Sequence, residues 1–68
     1  MALSARNVLK GKIKDIKKGP VMAEVTVEVA SGVNVVSVIT ANSTDRLGLD
    51  TGKEVEIVIK ATSVMINA

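Results

Sequence analysis

From Val21 to Val29 every odd position is apolar (Val21, Ala23, Val25, Val27, Val29), while Glu24, Thr26 and Glu28 stand between them. A period of two in mostly β-branched residues sets one face of an extended strand against a core and the other against water. Gly19-Pro20 before the segment and Ser31-Gly32 after it are turn formers. The pattern therefore predicts a strand that runs into a hairpin. Val33 to Thr40 supplies the second arm, apolar on both faces at Val35, Val36, Val38 and Ile39. Upstream, Val8 to Lys18 alternates less cleanly, with Lys10, Lys12, Lys14 and Lys17 interleaved among Leu9, Ile13 and Ile16. It predicts a first strand with a bend near Gly11.

The one helical candidate is the stretch Asn42 to Leu49, one or two turns long. Asn42 or Ser43 can cap its start, and Gly48 can take the left-handed position that ends it. Leu47 and Leu49 would then tuck against the sheet. Asp50-Thr51-Gly52-Lys53 makes a turn, Glu54 to Lys60 resumes a strand with Val55, Ile57 and Ile59 on one face, and Ser63 to Ile66 closes the chain. Three strands, a short helix and two more strands predict an all-β fold: a five-stranded, OB-like Greek-key barrel with the helix between strands 3 and 4. Residues 1–68 are expected to form one domain.

A chain of 68 residues buries only about 60% of the surface its unfolded form exposes, which is marginal for a monomer. Cys and His are absent, so disulfides and Cys/His metal clusters cannot staple it. Association of copies is the remaining remedy, and the 47% apolar content leaves Val and Ile side chains to face partner subunits. The net charge of +2, with acids and bases interspersed, is too mild for phosphate neutralisation alone. An OB-type module for single-stranded nucleic acid needs aromatic stacking platforms, and the chain has no aromatic residue. A purely structural assembly module is the other alternative. No apolar run reaches the roughly 18 residues of a membrane span, and the start lacks the apolar core of a secretory signal. The expectation is a cytoplasmic protein without membrane or nucleic-acid partners.

Without His, Cys or paired carboxylates there is no poised nucleophile, general base or soft-metal site, so no enzymatic activity is expected. What remains is two polar clusters that bracket the chain. Ser4-Ala5-Arg6-Asn7 combines a hydroxyl, an amide and a guanidinium that offers five donors and cannot be deprotonated. Lys60-Ala61-Thr62-Ser63 combines an ammonium, two hydroxyls and a break between strands that frees backbone N–H groups. A third donor-rich spot joins Thr40 to the Asn42-Ser43-Thr44 cap, although capping alone accounts for those residues. Donors that carry positive charge suit a small anion.

Ser4-Ala5-Arg6-Asn7 followed by Leu9-Lys10-Gly11 resembles the opening motif of the molbindin (Mop) family. Val58 to Met65 is similar to that family's ending, and Ile39-Thr40 with Leu47-Gly48-Leu49 and Gly52-Lys53 to its central segment. The resemblance spans essentially the whole chain. It implies a cytoplasmic molybdate- and tungstate-binding protein of OB-like fold for molybdenum storage, buffering and homeostasis. It further implies a homohexamer built as a trimer of dimers, oxyanion sites at subunit interfaces and no redox cofactor. Binding positions carried from the family fall on Ser4, Arg6, Lys60, Ala61 and Ser63, with Ala61 contributing its backbone N–H. Ala5, Asn7, Thr40, Ser43 and Thr62 are secondary positions, as is the backbone around Val21 from a neighbouring subunit. Met22 departs from the family pattern, where Asn is frequent. The metal arrives already bearing four oxo groups, so direct side-chain ligation is not expected and hydrogen-bond donors are what the ligand requires.

Overall fold

A computed structural model describes residues 6–68. It forms β1 (Asn7–Lys18), β2 (Met22–Ala30), β3 (Val33–Thr40), α1 (Ala41–Arg46) and β4 (Glu54–Ile59), followed by a 3-10 turn over Ala61–Ser63. The four strands make one antiparallel sheet in the order β3-β2-β1-β4. β1 divides its partners. Its residues Asn7 to Lys12 pair with β4, and its residues Lys12 to Lys18 pair with β2.

The uneven alternation of β1 has a structural cause. The register with β2 shifts between Ile13 and Asp15, so a bulge at Lys14 inserts one residue into the strand. Strict alternation would send Ile13 and Ile16 to opposite faces. The extra residue turns both inward, where Ile13 lies opposite Val27 and Ile16 opposite Val25. Ile13, Val25 and Val27 are the buried centre of the core, with Ile16, Val29, Ile39, Leu49, Val55 and Ile57 packed against them. The expected bend near Gly11 is therefore a bulge three residues on. Gly11 serves a different purpose: a Cβ there would lie 2.5 Å from the Glu28 carbonyl oxygen and 2.8 Å from a Val27 methyl. The missing side chain lets β2 approach the β1 backbone.

The helix starts and stops one to three residues before its expected bounds. Thr40, extended at φ −71° and ψ 147°, is the N-cap, and its hydroxyl accepts from the Ser43 N–H at 3.0 Å. Asn42 and Ser43 lie inside the first turn. Gly48 takes the left-handed conformation at φ 63°, as expected of the residue beyond the helix end. The Lys53 ammonium donates to the carbonyls of Leu47 and Gly48, at 3.1 Å each, and ties the helix exit to the start of β4. Leu49 packs on the core as expected, whereas Leu47 remains exposed.

The fifth strand expected over Ser63–Ile66 does not form within the chain. Ser63 belongs to the 3-10 turn, and residues 64–68 have no regular structure. A strand exists only where a neighbour accepts and donates its backbone hydrogen bonds, and this tail runs beyond the end of the β1–β4 ladder. Met65 and Ile66 are 93% and 92% exposed. In consequence the sheet stays open between β3 and β4 rather than closing into a barrel. The gap exposes an apolar hollow of about 420 Å³ lined by Ile13, Val25, Val27, Ile39, Leu47 and Ile57 among others.

Replacing Gly11 by Ala forces its new methyl into the β2 backbone. The expected cost is about 2 kcal/mol, read as a fall in thermal midpoint of roughly 10 °C for a domain of this size. A melt unchanged from wild type contradicts the close approach.

Candidate functional site

The β1–β4 ladder decides what meets at the outer end of the sheet. Its rungs run Lys12↔Glu54, Gly11↔Val55, Lys10↔Glu56, Leu9↔Ile57, Val8↔Val58 and Asn7↔Ile59. In β4 the odd positions Val55, Ile57 and Ile59 are half-buried and the even ones are exposed, so the even rungs share the solvent face. Down that face the pairs are Lys12 with Glu54, Lys10 with Glu56, then Val8 with Val58. Opposite charges and apolar pairs across strands both stabilise a sheet. The ladder ends at Asn7↔Ile59, and the next residues outward along the two strands are Arg6 and Lys60.

That last juxtaposition breaks the rule. Two cations flanking a ladder end repel, as like charges across a sheet do. Both residues are exposed. Among the described residues the ion pairs are Lys14 with Glu28 and Lys18 with Asp45, so no carboxylate pairs with Arg6 or Lys60. Beyond Lys60, the 3-10 turn is held by Ser63 N–H to Lys60 oxygen at 2.9 Å and Val64 N–H to Ala61 oxygen at 3.3 Å. Those bonds leave the N–H groups of Ala61 and Thr62 unpaired within the turn, as the opening N–H groups of any helix are. The turn also carries the exposed Thr62 and Ser63 hydroxyls. Arg6, Lys60, Ala61, Thr62 and Ser63 thus gather at one end of one chain. Ser4 and Ala5 lie outside the described residues. Asn7 is the last rung of the ladder, and its side-chain amide donates to the Ile59 carbonyl at 3.3 Å.

Thr40, Ser43 and Val21 are elsewhere. Thr40 lies opposite Met22 where β2 begins, and β2 begins beside the far end of β1 through Lys18↔Ala23. The 12 residues of β1 separate the two ends by roughly 35–40 Å of strand path. At that far end the Thr40 and Ser43 hydroxyls bond each other at 2.7 Å, and the Val21 carbonyl accepts from the Ala41 N–H at 2.7 Å. Within one chain these groups are occupied with capping and do not meet Arg6 or Lys60. The structure adds one residue that sequence reasoning passed over. Arg46 reaches back one helical turn and donates to the Ser43 hydroxyl at 3.4 Å, and the spacing of three between Ser43 and Arg46 is the signal that places them on one helix face.

Among the described residues, no cluster of three or more carboxylates is placed to hold a metal ion, and no helix is long and apolar enough to cross a membrane. A cleft of about 760 Å³ lies between Lys10, Lys12, Glu28, Glu54 and Glu56. It mixes both charge signs and includes neither Arg6 nor Lys60.

Comparison with known proteins gives the chain a family. Residues 3–66 match the TOBE domain. Molybdenum-pterin-binding protein 3 of Clostridium pasteurianum is 52% identical over 68 residues, covering all of both chains. A molybdate-binding protein from Sporomusa ovata has the same fold, with a TM-score of 0.93 at 35% identity over all of both chains. The cytoplasmic molybdate-binding protein ModG, solved with molybdate bound, matches 90% of this chain with 43% of its own at a TM-score of 0.85 and 43% identity. The chain belongs to the TOBE-domain family, among its Mop (molbindin) members.

Proposed function

We propose that the chain binds molybdate and tungstate as intact oxyanions, with Arg6 and Lys60 as the charged pair that holds them. The observation that supports this most strongly is that these two cations directly flank the last rung of the β1–β4 ladder, Asn7↔Ile59, with no carboxylate partner. A tetrahedral dianion placed between them turns their repulsion into attraction. Ser4, Ser63 and the Ala61 N–H are the further donors, flanked by Ala5, Asn7 and Thr62. Each charge-assisted hydrogen bond contributes about 1.5–3 kcal/mol, and several are needed because a buried dianion must have its lost water replaced.

The site is proposed to be completed by a second copy of the chain. The tail that follows Ser63 is apolar and exposed, and the gap between β3 and β4 is apolar and open. A tail from another copy fits that gap as the fifth strand and closes the barrel. It also carries the Lys60–Ser63 turn onto a subunit interface, within reach of a neighbour's Thr40, Ser43 and Val21 backbone. We assign a homohexamer, a trimer of dimers, with oxyanions at such interfaces and a cytoplasmic role in molybdenum storage and buffering. Binding, not catalysis, is the activity, and no redox cofactor is required. The curated relative's name includes a pterin, but this chain offers no aromatic side chain to stack on that ring.

Equilibrium dialysis against molybdate with excess sulfate tests the charged pair. Arg6→Ala and Lys60→Ala are each expected to weaken binding by about tenfold or more, the equivalent of one charge-assisted bond. Arg6→Lys retains part of the affinity because the charge survives without the planar fork. Wild-type affinity in both alanine variants contradicts the assignment.

A ligand held between copies stabilises the assembly by mass action. Molybdate at 100 times its dissociation constant adds about 2.7 kcal/mol, expected as a rise in thermal midpoint of roughly 10 °C or more. Identical midpoints with and without saturating molybdate count against interface sites.

A further inference from the structure

We propose that Asn7 is a positioning residue for the Arg6–Lys60 pair and not itself a ligand to the anion, an inference that rests on the oxyanion site described above. Asn7 is the first residue of β1 and shares its odd-numbered face with Leu9, whereas Arg6 is the exposed residue just before the strand. The Asn7 amide is instead engaged across the ladder, donating to the Ile59 carbonyl at 3.3 Å over a separation of 52 residues in sequence. That carbonyl belongs to the same peptide unit as the Lys60 N–H, so holding it fixes the plane from which Lys60 and the Ala61–Ser63 turn depart. On its own strand, the Asn7 N–H shares a peptide unit with the Arg6 carbonyl. One side chain therefore joins the two peptide units that carry the two cations.

The position needs such a clasp. Strand ends fray at little cost in free energy, and here the residues next outward on the two strands, Arg6 and Lys60, carry like charges that repel. A site completed only when both strands are held at the correct separation loses affinity when its end rung opens. Asn suits the role because it donates without adding charge. Leu fills a similar space without a donor, and Asp places a carboxylate beside the anion.

The test compares Asn7→Ala and Asn7→Gln with wild type by molybdate dialysis, thermal melting and amide exchange of the unliganded protein followed by NMR. Asn7→Ala is expected to bind molybdate about fivefold more weakly, the loss set by one neutral hydrogen bond. Exchange at Lys60 and Ala61 accelerates in the same variant, while the thermal midpoint moves by only a few degrees. Asn7→Gln, which keeps the amide donor, restores affinity to within about twofold. A fall in midpoint with unchanged affinity marks a merely structural bond and overturns the proposal. A fall in affinity with unchanged exchange at Lys60 and Ala61 makes Asn7 a direct ligand and overturns it equally. Wild type that binds while Asn7→Ala matches it removes the positioning role alone, whereas wild type that binds no molybdate removes the oxyanion site and this role together.

Discussion

The register of β1 against β4 is the constraint from which the arrangement of charge at the outer end of the sheet follows. Pairing Asn7 with Ile59 fixes every rung inward to Lys12 and Glu54, and it fixes what stands one step outward. Slipping β4 by one residue would move Val55 and Ile57 off the face that packs on the core. The core therefore enforces the register, with Ile13 buried against Val25 and Val27. Packing at the centre of the sheet and charge at its edge are two consequences of one alignment. The cations are brought together because the hydrophobic pattern leaves them no other place.

The division of β1 between two partners gives the sheet its other essential property. The bulge at Lys14 changes which side chains face inward, so one strand serves β4 with its first half and β2 with its second. Gly11 sits just before this change and lets the β2 backbone close in. The price is an open edge: β3 and β4 do not pair, and the apolar hollow between them stays uncovered in a single chain. Val36 and Val38 on β3 are 57% and 61% exposed. So small a buried centre leaves a single chain of this size marginally stable.

Much of this could be read from residue order, because it is set by local pattern. The alternation of Val25 and Val27 marks β2, Gly48 marks the helix exit, and the polar clusters announce donors without acids. The parts that escaped depend on partners distant in sequence. The bulge at Lys14 shows only as imperfect alternation, since its proof is the register with Val25 and Val27. Thr40 both ends β3 and caps the helix, a double duty that a single-residue preference does not reveal. The strand expected over Ser63 to Ile66 is absent because apolar residues do not specify the neighbour that a strand must pair with. The two terminal clusters were visible separately. That Arg6 and Lys60 stand at the same end of the sheet, each one residue beyond the Asn7↔Ile59 rung, required the ladder.

The central claim is that an oxyanion occupies the space between Arg6 and Lys60. Tungsten scatters X-rays anomalously, so a crystal grown with tungstate locates the anion without ambiguity. A strong anomalous peak is expected within hydrogen-bonding distance of both the Arg6 guanidinium and the Lys60 ammonium, with the Ala61 N–H directed at it. Tungsten found elsewhere, with these two side chains turned apart into solvent, contradicts it.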